Sequence, residues 1–341
     1  MEKQDFNNEI FRTLNQIDAN TEYVYKGNNF LLFNYSILGR VNLGDYIQTI
    51  AVKNALTNIF GEFSYDFFNR DTLNFYSPKY SSLGNNAMVI MQGYFANKLY
   101  WLPNNSLKPI YIGVHFNKLA IEFLRHFLSY RPNFFINSKI GCRDLWTHEH
   151  CIKMGIESYF SRCLTLTLPK RTERAGQKVF LVGIPDEWLK FIPKDILCDV
   201  EQVNQQRVVL NSWRTGQYYQ AAEDLLECYK KEAKMVITTA LHCAAPCVAM
   251  GIPVILIMAK PMENISRFTA LNNIIPLYTI QDLKKGMISF EPQEVDIEYL
   301  KKMMLENLKL SIIAFSGDGK EKELLEIRNE IQHYRSSLFN F

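Results

Sequence analysis

Residues 237–254 carry the strongest chemical signal, because a histidine stands where an apolar strand turns into a helix. The segment ITTALHCAAPCVAMGIPV predicts a strand ending at Thr239, a helix opening around His242 and a second strand after Pro253. Such a step builds a parallel sheet, and the helix N-terminus then faces the edge where these sheets bind ligands. An imidazole there is able to meet an anion and move a proton. The alternative is that His242 only caps the helix or fills a polar pocket.

A second strand-to-helix turn carries polar groups early in the chain. Gly39 and Gly44 punctuate the segment GRVNLGDYIQTIAVKNAL, which follows the apolar run NFLLFNY. Asp45 suits the N-cap of the helix that begins there, and Asn42 precedes it. This pattern predicts another place where backbone N–H groups reach a binding crevice, and plain capping with a glycine turn is the alternative.

Two arginines follow other predicted strands. Arg143 stands beside Asp144 at a strand-to-helix turn, which suits bidentate binding of a carboxylate or phosphate, although a structural Arg143–Asp144 pair competes with that interpretation. Arg267 offers a second guanidinium after the strand near residue 258, with an exposed surface arginine as the alternative. We expect no metal site, since His148 and His150 are only two positions apart. Hydrolase, P-loop and dinucleotide-binding motifs are also absent from the sequence.

Composition limits the class of protein. The chain has 341 residues, 48% of them hydrophobic, and a formal net charge of +3. This length favours two domains, and the small charge argues against a nucleic-acid binder that works through phosphate neutralisation. The seven cysteines show no CxxC spacing, and no signal peptide or membrane-spanning run is visible, so we expect a cytoplasmic location.

Strands and helices alternate through most of the chain. The polar stretch 169–177 separates two such halves and marks the predicted domain boundary. We predict an N-terminal domain over 1–172, a C-terminal domain over 173–315 and a final helix over 316–341. Strands are predicted at 29–35, 88–95, 110–116, at 161–168, from 178 and within 236–257, and a strand or turn is predicted around 140. Helices are predicted at 6–20, from 45, from 146, at 216–234, at 296–315 and at 319–339.

Three motifs occurring in this order resemble those of the polysaccharide pyruvyl transferase family. They are NLGDYIQTIAVKNAL, then IGCRDLWT with YFSRCLTLTL, then VITTALHCAAPCVAMGIPVILI, and the likeness extends over about residues 30–285. The resemblance implies an α/β fold like that of GT-B glycosyltransferases, with two Rossmann-like domains facing each other across a cleft. It also implies C-terminal helices that pack back on the first domain.

The resemblance further implies the reaction. Family members transfer pyruvate from phosphoenolpyruvate onto two hydroxyls of a sugar and form a cyclic ketal on capsular, exopolysaccharide or cell-wall glycans. Phosphoenolpyruvate is the donor substrate, and no other cofactor is expected. The acceptor is a sugar or lipid-linked oligosaccharide, and a lipid-linked acceptor would bring the protein to the inner face of the cell membrane. Lys98, Tyr100 and Trp101 are candidates for that contact, with a solvated loop as the alternative.

Roles for the site residues follow from this reaction. We expect His242 to act as general acid and Asp45 as base. The family commonly has an arginine where this chain has Ala240, so another guanidinium must hold the donor, or the donor differs. The expected substrate-binding residues are Arg143, Arg267, Arg40, Asn42, Gly44, Leu241 and Thr239. Two other functions stay open: a GT-B glycosyltransferase that uses a nucleotide sugar, and a catalytically inactive binding subunit of glycan assembly.

Overall fold

A computed structural model describes residues 29–35, 40–84, 87–96, 99–208, 214–259, 266–315 and 319–339. The chain divides into two compact units, and each unit has a parallel β-sheet of its own. The first unit is drawn from Met1–Ser36, Val52–Cys163 and Leu305–Gln332, and the second from Ile37–Ala51, Leu164–Met304 and His333–Phe341. The predicted domain ranges differ from these units, in that residues 37–51 and 164–172 belong to the second unit and residues 305–315 to the first. The predicted cleft between two domains stays a prediction.

The first unit is built on a six-stranded parallel sheet. Its members are β1 (Asn29–Asn34), β3 (Ser64–Asn69), β4 (Ala87–Phe95), β5 (Leu107–Phe116), β6 (Ile140–Cys142) and β7 (Ser158–Phe160), in the spatial order β3-β1-β4-β5-β6-β7. Most of β1, β4 and β5 is buried, as expected for parallel strands covered on both faces. The predicted strands at 29–35, 88–95 and 110–116 are thereby confirmed.

Helices of the first unit include α2 (Lys118–Tyr130), α3 (Leu145–Lys153) and α8 (Glu321–His333). Helix α7 (Glu298–Phe315) contributes its later turns to the same unit. Helix α8 is held by Arg162, whose Nε donates to the carbonyl oxygen of Ile331 at 3.0 Å. Arg328 of α8 lies over the Tyr159 ring at 4.0 Å and donates to Asn307 of α7 at 3.1 Å.

A five-stranded parallel sheet forms the second unit. It consists of β8 (Lys178–Val182), β9 (Val200–Val203), β11 (Ala233–Thr238), β12 (Val254–Met258) and β13 (Leu277–Thr279), in the order β13-β12-β11-β8-β9. Alternate residues of three strands share one buried cluster with Trp188, Leu283 and Ile288, which is the period of two that a pleated strand imposes. These alternating members are Val179, Leu181, Met235, Ile237, Ile255 and Ile257.

Several helices and a short ribbon complete the second unit. Helix α4 (Thr215–Glu232) precedes β11 in the chain, α5 (Leu241–Ala249) follows β11, and α6 (Ile280–Lys284) follows β13. Helix α1 (Leu43–Phe60) begins in this unit. Strand β2 (Arg40–Asn42) pairs antiparallel with β10 (Gln206–Val208) directly before α1. The predicted strand–helix–strand step within 236–257 is confirmed by β11, α5 and β12.

Three sequence predictions need correction. The segment 161–168 is not a strand, because Arg162 takes a left-handed backbone with φ of 61° that ends β7, and Leu164–Thr167 then forms a buried 3-10 turn. Asp45 is not the N-cap and Gly44 is not in a loop, since α1 already begins at Leu43.

The remaining predictions concern the N-terminal helix and the membrane-contacting residues. The predicted helix at 6–20 lies outside the described residues, as does Lys98. Trp101 is only 2% exposed and packs on the rings of Phe95 and Phe116, so it is wrong as a membrane-contacting residue. No helix among the described ranges combines the length and the hydropathy that crossing a membrane requires.

Candidate functional site

The step from β11 into α5 lies where the second sheet reverses its direction of winding. From β8 the chain moves outward to β9, and it then returns to place β11 on the other side of β8. Thr238 Oγ1 donates to the carbonyl oxygen of Val182 at 3.0 Å, and Thr239 Oγ1 donates to that of Gly183 at 2.9 Å, which ties the ends of the two strands together. Open α/β sheets bind ligands at such a switch point, outside the carboxyl ends of the strands.

His242 stands at the second residue of α5 and therefore faces this switch point. The helix begins at Leu241, which is buried at 4% exposure, with Ala240 as its N-cap residue. The Ala240 N–H donates to Thr238 Oγ1 at 2.9 Å, so the turn into the helix is fixed by the strand that precedes it. The N–H groups of the first helical turn and the positive end of the helix dipole point out of the strand end.

The start of α1 reaches the same place through the ribbon of β2 and β10. Asn42 caps α1, because its Oδ1 accepts from the Gly44 N–H at 3.0 Å. The Leu43 N–H donates to the carbonyl oxygen of Gln205 at 2.9 Å, and Gln205 Nε2 donates to the carbonyl oxygen of His242 at 3.3 Å. One glutamine thus joins the N-termini of both helices.

Gly44 comes so close to His242 that no larger residue fits. A Cβ added at Gly44 would lie 2.8 Å from the His242 Cβ and 3.2 Å from its Nδ1. Carbon atoms in contact prefer a separation of about 3.5–4.0 Å. The glycine is therefore required by the close approach of the two helix N-termini at their second residues.

Gln48 connects the imidazole to Asp45. Its Nε2 lies 3.1 Å from Asp45 Oδ1, 3.4 Å from the Gly44 carbonyl oxygen and 3.3 Å from His242 Nδ1, and the residue is fully buried. Asp45 and the Gly44 carbonyl offer only acceptors, so the amide must turn its NH₂ group toward them. His242 Nδ1 then accepts from the same NH₂ group, and the neutral ring carries its proton on Nε2.

Aromatic rings close one side of this group. The Tyr46 ring is fully buried and stacks on Tyr218 at 5.7 Å, with Tyr219 edge-on at 4.9 Å. Burial, with the neighbouring Tyr218 and Asp45, raises the pKa of Tyr46 well above its usual range, so its hydroxyl stays protonated. These rings give the site an apolar wall beside its polar groups.

The predicted cations occupy different places. Arg267 lies half-buried in the 3-10 turn Ser266–Leu271 of the second unit, with its guanidinium 4.9 Å from the centre of the Phe268 ring. Arg40 contributes backbone pairing to Val208 of β10, and its side chain lies outside the described residues. The structure thus keeps Arg40 and Arg267 in the same unit as His242.

Arg143 belongs to the first unit and is 2% exposed. Its charge helps to lower the pKa of the adjacent Asp144, behind the larger effect of His115. This electrostatic link supports the structural Arg143–Asp144 pair that the sequence left open, while a role for Arg143 in binding stays a prediction.

Sequence reasoning missed Gln48 and Gln205. Gln48 follows Gly44 by four positions on α1, which places both on one helix face, and a buried glutamine among apolar neighbours was the available signal. Gln205 sits in a bend between two strands and leaves no comparable pattern.

The structure brings His242, Asp45, Asn42, Gly44, Leu241 and Thr239 into the second unit. Comparison with solved structures gives a remote likeness to an uncharacterized protein from Klebsiella pneumoniae subsp. pneumoniae, with 11% identity, a TM-score of 0.41, and coverage of 79% of this chain and 94% of that one. A likeness at this level supports no argument. No protein with a curated description matches the sequence.

The family model described as polysaccharide pyruvyl transferase matches residues 42–261. The matched range is more than half of the 341 residues, and it contains both helix N-termini that form the site together with Gln48 and Gln205. The sequence resemblance is thereby confirmed, and the chain belongs to the polysaccharide pyruvyl transferase family, whose name assigns it to the transferases.

Proposed function

We propose that the protein transfers pyruvate from phosphoenolpyruvate onto two hydroxyls of a sugar and forms a cyclic ketal on a precursor of a surface or capsular polysaccharide. The observation that carries this proposal is the convergence of His242, Gln48 and Gly44 at the switch point of the second sheet. This unit is the proposed donor side, and the first unit is the proposed acceptor side.

Two helix N-termini support an anionic donor. Helices α1 and α5 approach each other at their second residues, Gly44 and His242. Each helix N-terminus carries a partial charge of about +0.5, so together they supply roughly one positive charge. That amount is comparable to the guanidinium that the family commonly has at position 240, where this chain has alanine. Arg267 and Arg40 of the same unit are the side chains proposed to add to it.

The proposed chemistry begins with a proton from His242. Phosphoenolpyruvate becomes electrophilic at C2 when C3 takes a proton. The oxygen of the first sugar hydroxyl then bonds to C2, phosphate leaves with the electron pair of the C2–O bond, and the second hydroxyl closes the ketal. The two hydroxyls release two protons, of which one replaces the proton spent on C3 and the other departs with phosphate. Asp45 is the proposed base on this side.

Gln48 contacts the His242 ring and therefore affects whether that ring is neutral or an imidazolium. The ring must be an imidazolium before it protonates C3, and Nδ1–H then faces Gln48. Because Asp45 and the Gly44 carbonyl hold the Gln48 NH₂ group toward them, that same group faces Nδ1 and favours the neutral ring. Gln48 is therefore proposed as the partner of the neutral His242 ring.

Replacing His242 by alanine tests the acid role. We expect the variant to fold as the wild type does and to lose pyruvyl transfer, measured as phosphate release and as ketal on the acceptor. Leu325→Ala is the control, because Leu325 is 71% exposed on α8 and has no proposed role in binding or chemistry. Near-normal turnover in His242→Ala would remove the acid assignment.

A thermal-shift panel separates the donor from its alternatives. We expect phosphoenolpyruvate to raise the melting temperature, since a ligand that binds only the folded state stabilises it. A shift with UDP or UDP-glucose and none with phosphoenolpyruvate would favour a nucleotide-sugar glycosyltransferase. The alanine at position 240 makes the inactive binding subunit a second candidate. Its signature would be no turnover with any donor.

The proposed acceptor is a sugar or a lipid-linked oligosaccharide. A lipid-linked oligosaccharide would bring the protein to the inner face of the cell membrane as a peripheral contact. Trp101 takes no part in such a contact, because its ring lies in the core of the first unit. Tyr100, which is half-buried, remains a candidate, and Phe75, whose ring lies 5.2 Å from that of Tyr100 and which is 48% exposed, is a further one.

A further inference from the structure

A buried proline stands inside helix α5, four residues after His242. The helix runs from Leu241 to Ala249, so Pro246 is its sixth residue and lies beyond the first turn, where proline is tolerated. In a regular α-helix the N–H of residue 246 would donate to the carbonyl oxygen of His242. Proline has no N–H, and its ring crowds that same carbonyl group. The carbonyl oxygen of His242 therefore lacks the donor that a regular helix gives it.

The side chain of Gln205 supplies a donor from outside the helix. Gln205 Nε2 lies 3.3 Å from the carbonyl oxygen of His242, and the two residues are 37 positions apart in the chain. A carbonyl oxygen only accepts, so the amide must direct its NH₂ group toward it. Gln205 is only 5% exposed and lies between β9 and β10. This hydrogen bond ties the backbone of His242 to the turn between those strands.

The turn that carries Gln205 is itself held in place. Asn204 Oδ1 accepts from the Gln206 N–H at 2.9 Å. The backbone carbonyl oxygen of Gln205 accepts from the Leu43 N–H at 2.9 Å, at the start of α1. Gln205 thus bonds to α1 through its main chain and to α5 through its side chain. It fixes the spacing of the two helices at the point where Gly44 and His242 meet.

Helix α5 has few ties of its own at this end. Its N-cap residue is Ala240, whose side chain makes no capping hydrogen bond. An interior proline adds to this weakness, because proline is the least favourable residue in an α-helix. Local conflicts of this kind are expected mainly at functional sites. Here the conflict falls on the backbone of the residue proposed as the acid.

We propose that Gln205 is a positioning residue for the His242 imidazole, and that Pro246 creates this role by removing the competing N–H. Gln205 bonds to the backbone of His242 and not to its ring, so it acts only through the position of that residue. From that position the ring reaches Gln48, whose Nε2 lies 3.3 Å from His242 Nδ1. The part of this inference that concerns turnover rests on the proposed function.

Gln205→Met tests the positioning role in turnover. Methionine has a similar length but no amide, and the main-chain bond to Leu43 stays. We expect kcat for pyruvyl transfer to fall on the order of 10- to 100-fold, with KM for phosphoenolpyruvate near its wild-type value. The equilibrium constant for unfolding should rise roughly 2- to 10-fold, the effect of one hydrogen bond. Gln202→Met, at an exposed residue of β9, is the matched control and should keep wild-type values.

An NMR titration of the His242 ring gives a readout that needs no turnover. The ring signals are assigned by their absence in His242→Ala. The Gln48 NH₂ group favours the neutral ring, so a displaced ring should titrate at higher pH in Gln205→Met. A bond that served only the stability of the fold would leave this titration where it is in the wild type. An unmoved titration, or a wild-type kcat in an active enzyme, would overturn the positioning role.

Pro246→Ala tests the part of the proposal that concerns the proline. Alanine returns an N–H that donates to the carbonyl oxygen of His242, so Gln205→Met should then change kcat and stability little. Pro253→Ala is the matched background, because Pro253 follows the helix and Gln205→Met should keep its full effect there. Equal losses in both backgrounds would refute the link to Pro246.

Two further results keep the test decisive. Pro246→Ser returns the same N–H and takes the place of Pro246→Ala if the alanine variant does not fold. A wild type that transfers no pyruvate, but in which the ring titration and the stability of the variants change as expected, would refute the proposed function and leave the positioning of His242 by Gln205 standing.

Discussion

Replacing Gly44 by alanine tests the contact on which the candidate site depends. The new methyl group would lie 2.8 Å from the His242 Cβ, where carbon atoms prefer about 3.5–4.0 Å. One of the two helix N-termini must therefore move by roughly 1 Å. A misplacement of that size at a reacting group costs on the order of 100-fold in rate. We expect turnover to fall by that amount.

Stability should change much less than activity. Overpacking costs about 1–3 kcal/mol, whereas alanine in place of glycine in a helix contributes up to about 1 kcal/mol in the opposite sense. The two effects leave a net loss of roughly 0–3 kcal/mol in the free energy of unfolding. Urea titration measures this change, and phosphate release in the presence of the acceptor measures turnover.

Gly216 provides a matched control. It is the second residue of α4, as Gly44 is of α1, yet a Cβ added there meets nothing within 4 Å. We expect Gly216→Ala to keep wild-type turnover and to gain up to about 1 kcal/mol of stability. If Gly44→Ala also kept wild-type turnover, the close approach of Gly44 to His242 would have no part in function.

Substitutions at Gln48, Arg162 and Tyr111 test the site and the fold. Gln48→Glu offers a carboxylate to Nδ1–H of the His242 imidazolium, so the alkaline limb of the pH–rate profile should move to higher pH. Gln48→Met offers no charge, so it should lower kcat and leave the alkaline limb where it is in the wild type. Arg162→Met removes the charge-assisted hydrogen bond to the end of α8 and should lower the free energy of unfolding by about 1.5–3 kcal/mol in urea titration. Burial raises the pKa of Tyr111, so above pH 10.0 this tyrosine loses its proton in the unfolded chain and keeps it in the folded protein. The free energy of unfolding should therefore fall by up to about 1.4 kcal/mol per pH unit above that value. Tyr111→Phe should reduce that slope, and Tyr80→Phe, at a residue 91% exposed, should not.

The sheet strands were predictable because burial on both faces leaves a direct trace in composition. The runs around β1, β4 and β5 are nearly all apolar, and the step from β11 to β12 has glycine and proline at its turn. The segment 161–168 is just as apolar, yet it is a turn rather than a strand. Its backbone is set by the left-handed Arg162 and by burial around the turn, which apolar composition does not distinguish from a strand.

The partners of the two histidines were beyond local patterns. His242 was singled out because its helix N-terminus is visible in the sequence, but Gln48 lies 194 residues away from it. His115 is the last residue but one of β5, a strand that is mostly buried, so its position alone indicated nothing more than packing. Asp144 was noted only as a neighbour of Arg143, since the β5–β6 pairing that brings it to His115 is a property of the sheet.

The discontinuity of the second unit bears on how the protein is made. Residues 37–51 are synthesised before the rest of their unit, which continues at Leu164 and includes residues from His333 onward. Contacts between such distant segments form slowly, because the intervening chain must be closed into a loop first. The N-terminal turn of α1 must therefore wait, after synthesis of more than a hundred further residues, for the imidazole against which it packs. Newly made chains would carry this apolar helix without its partners during that interval, which is when aggregation competes with folding.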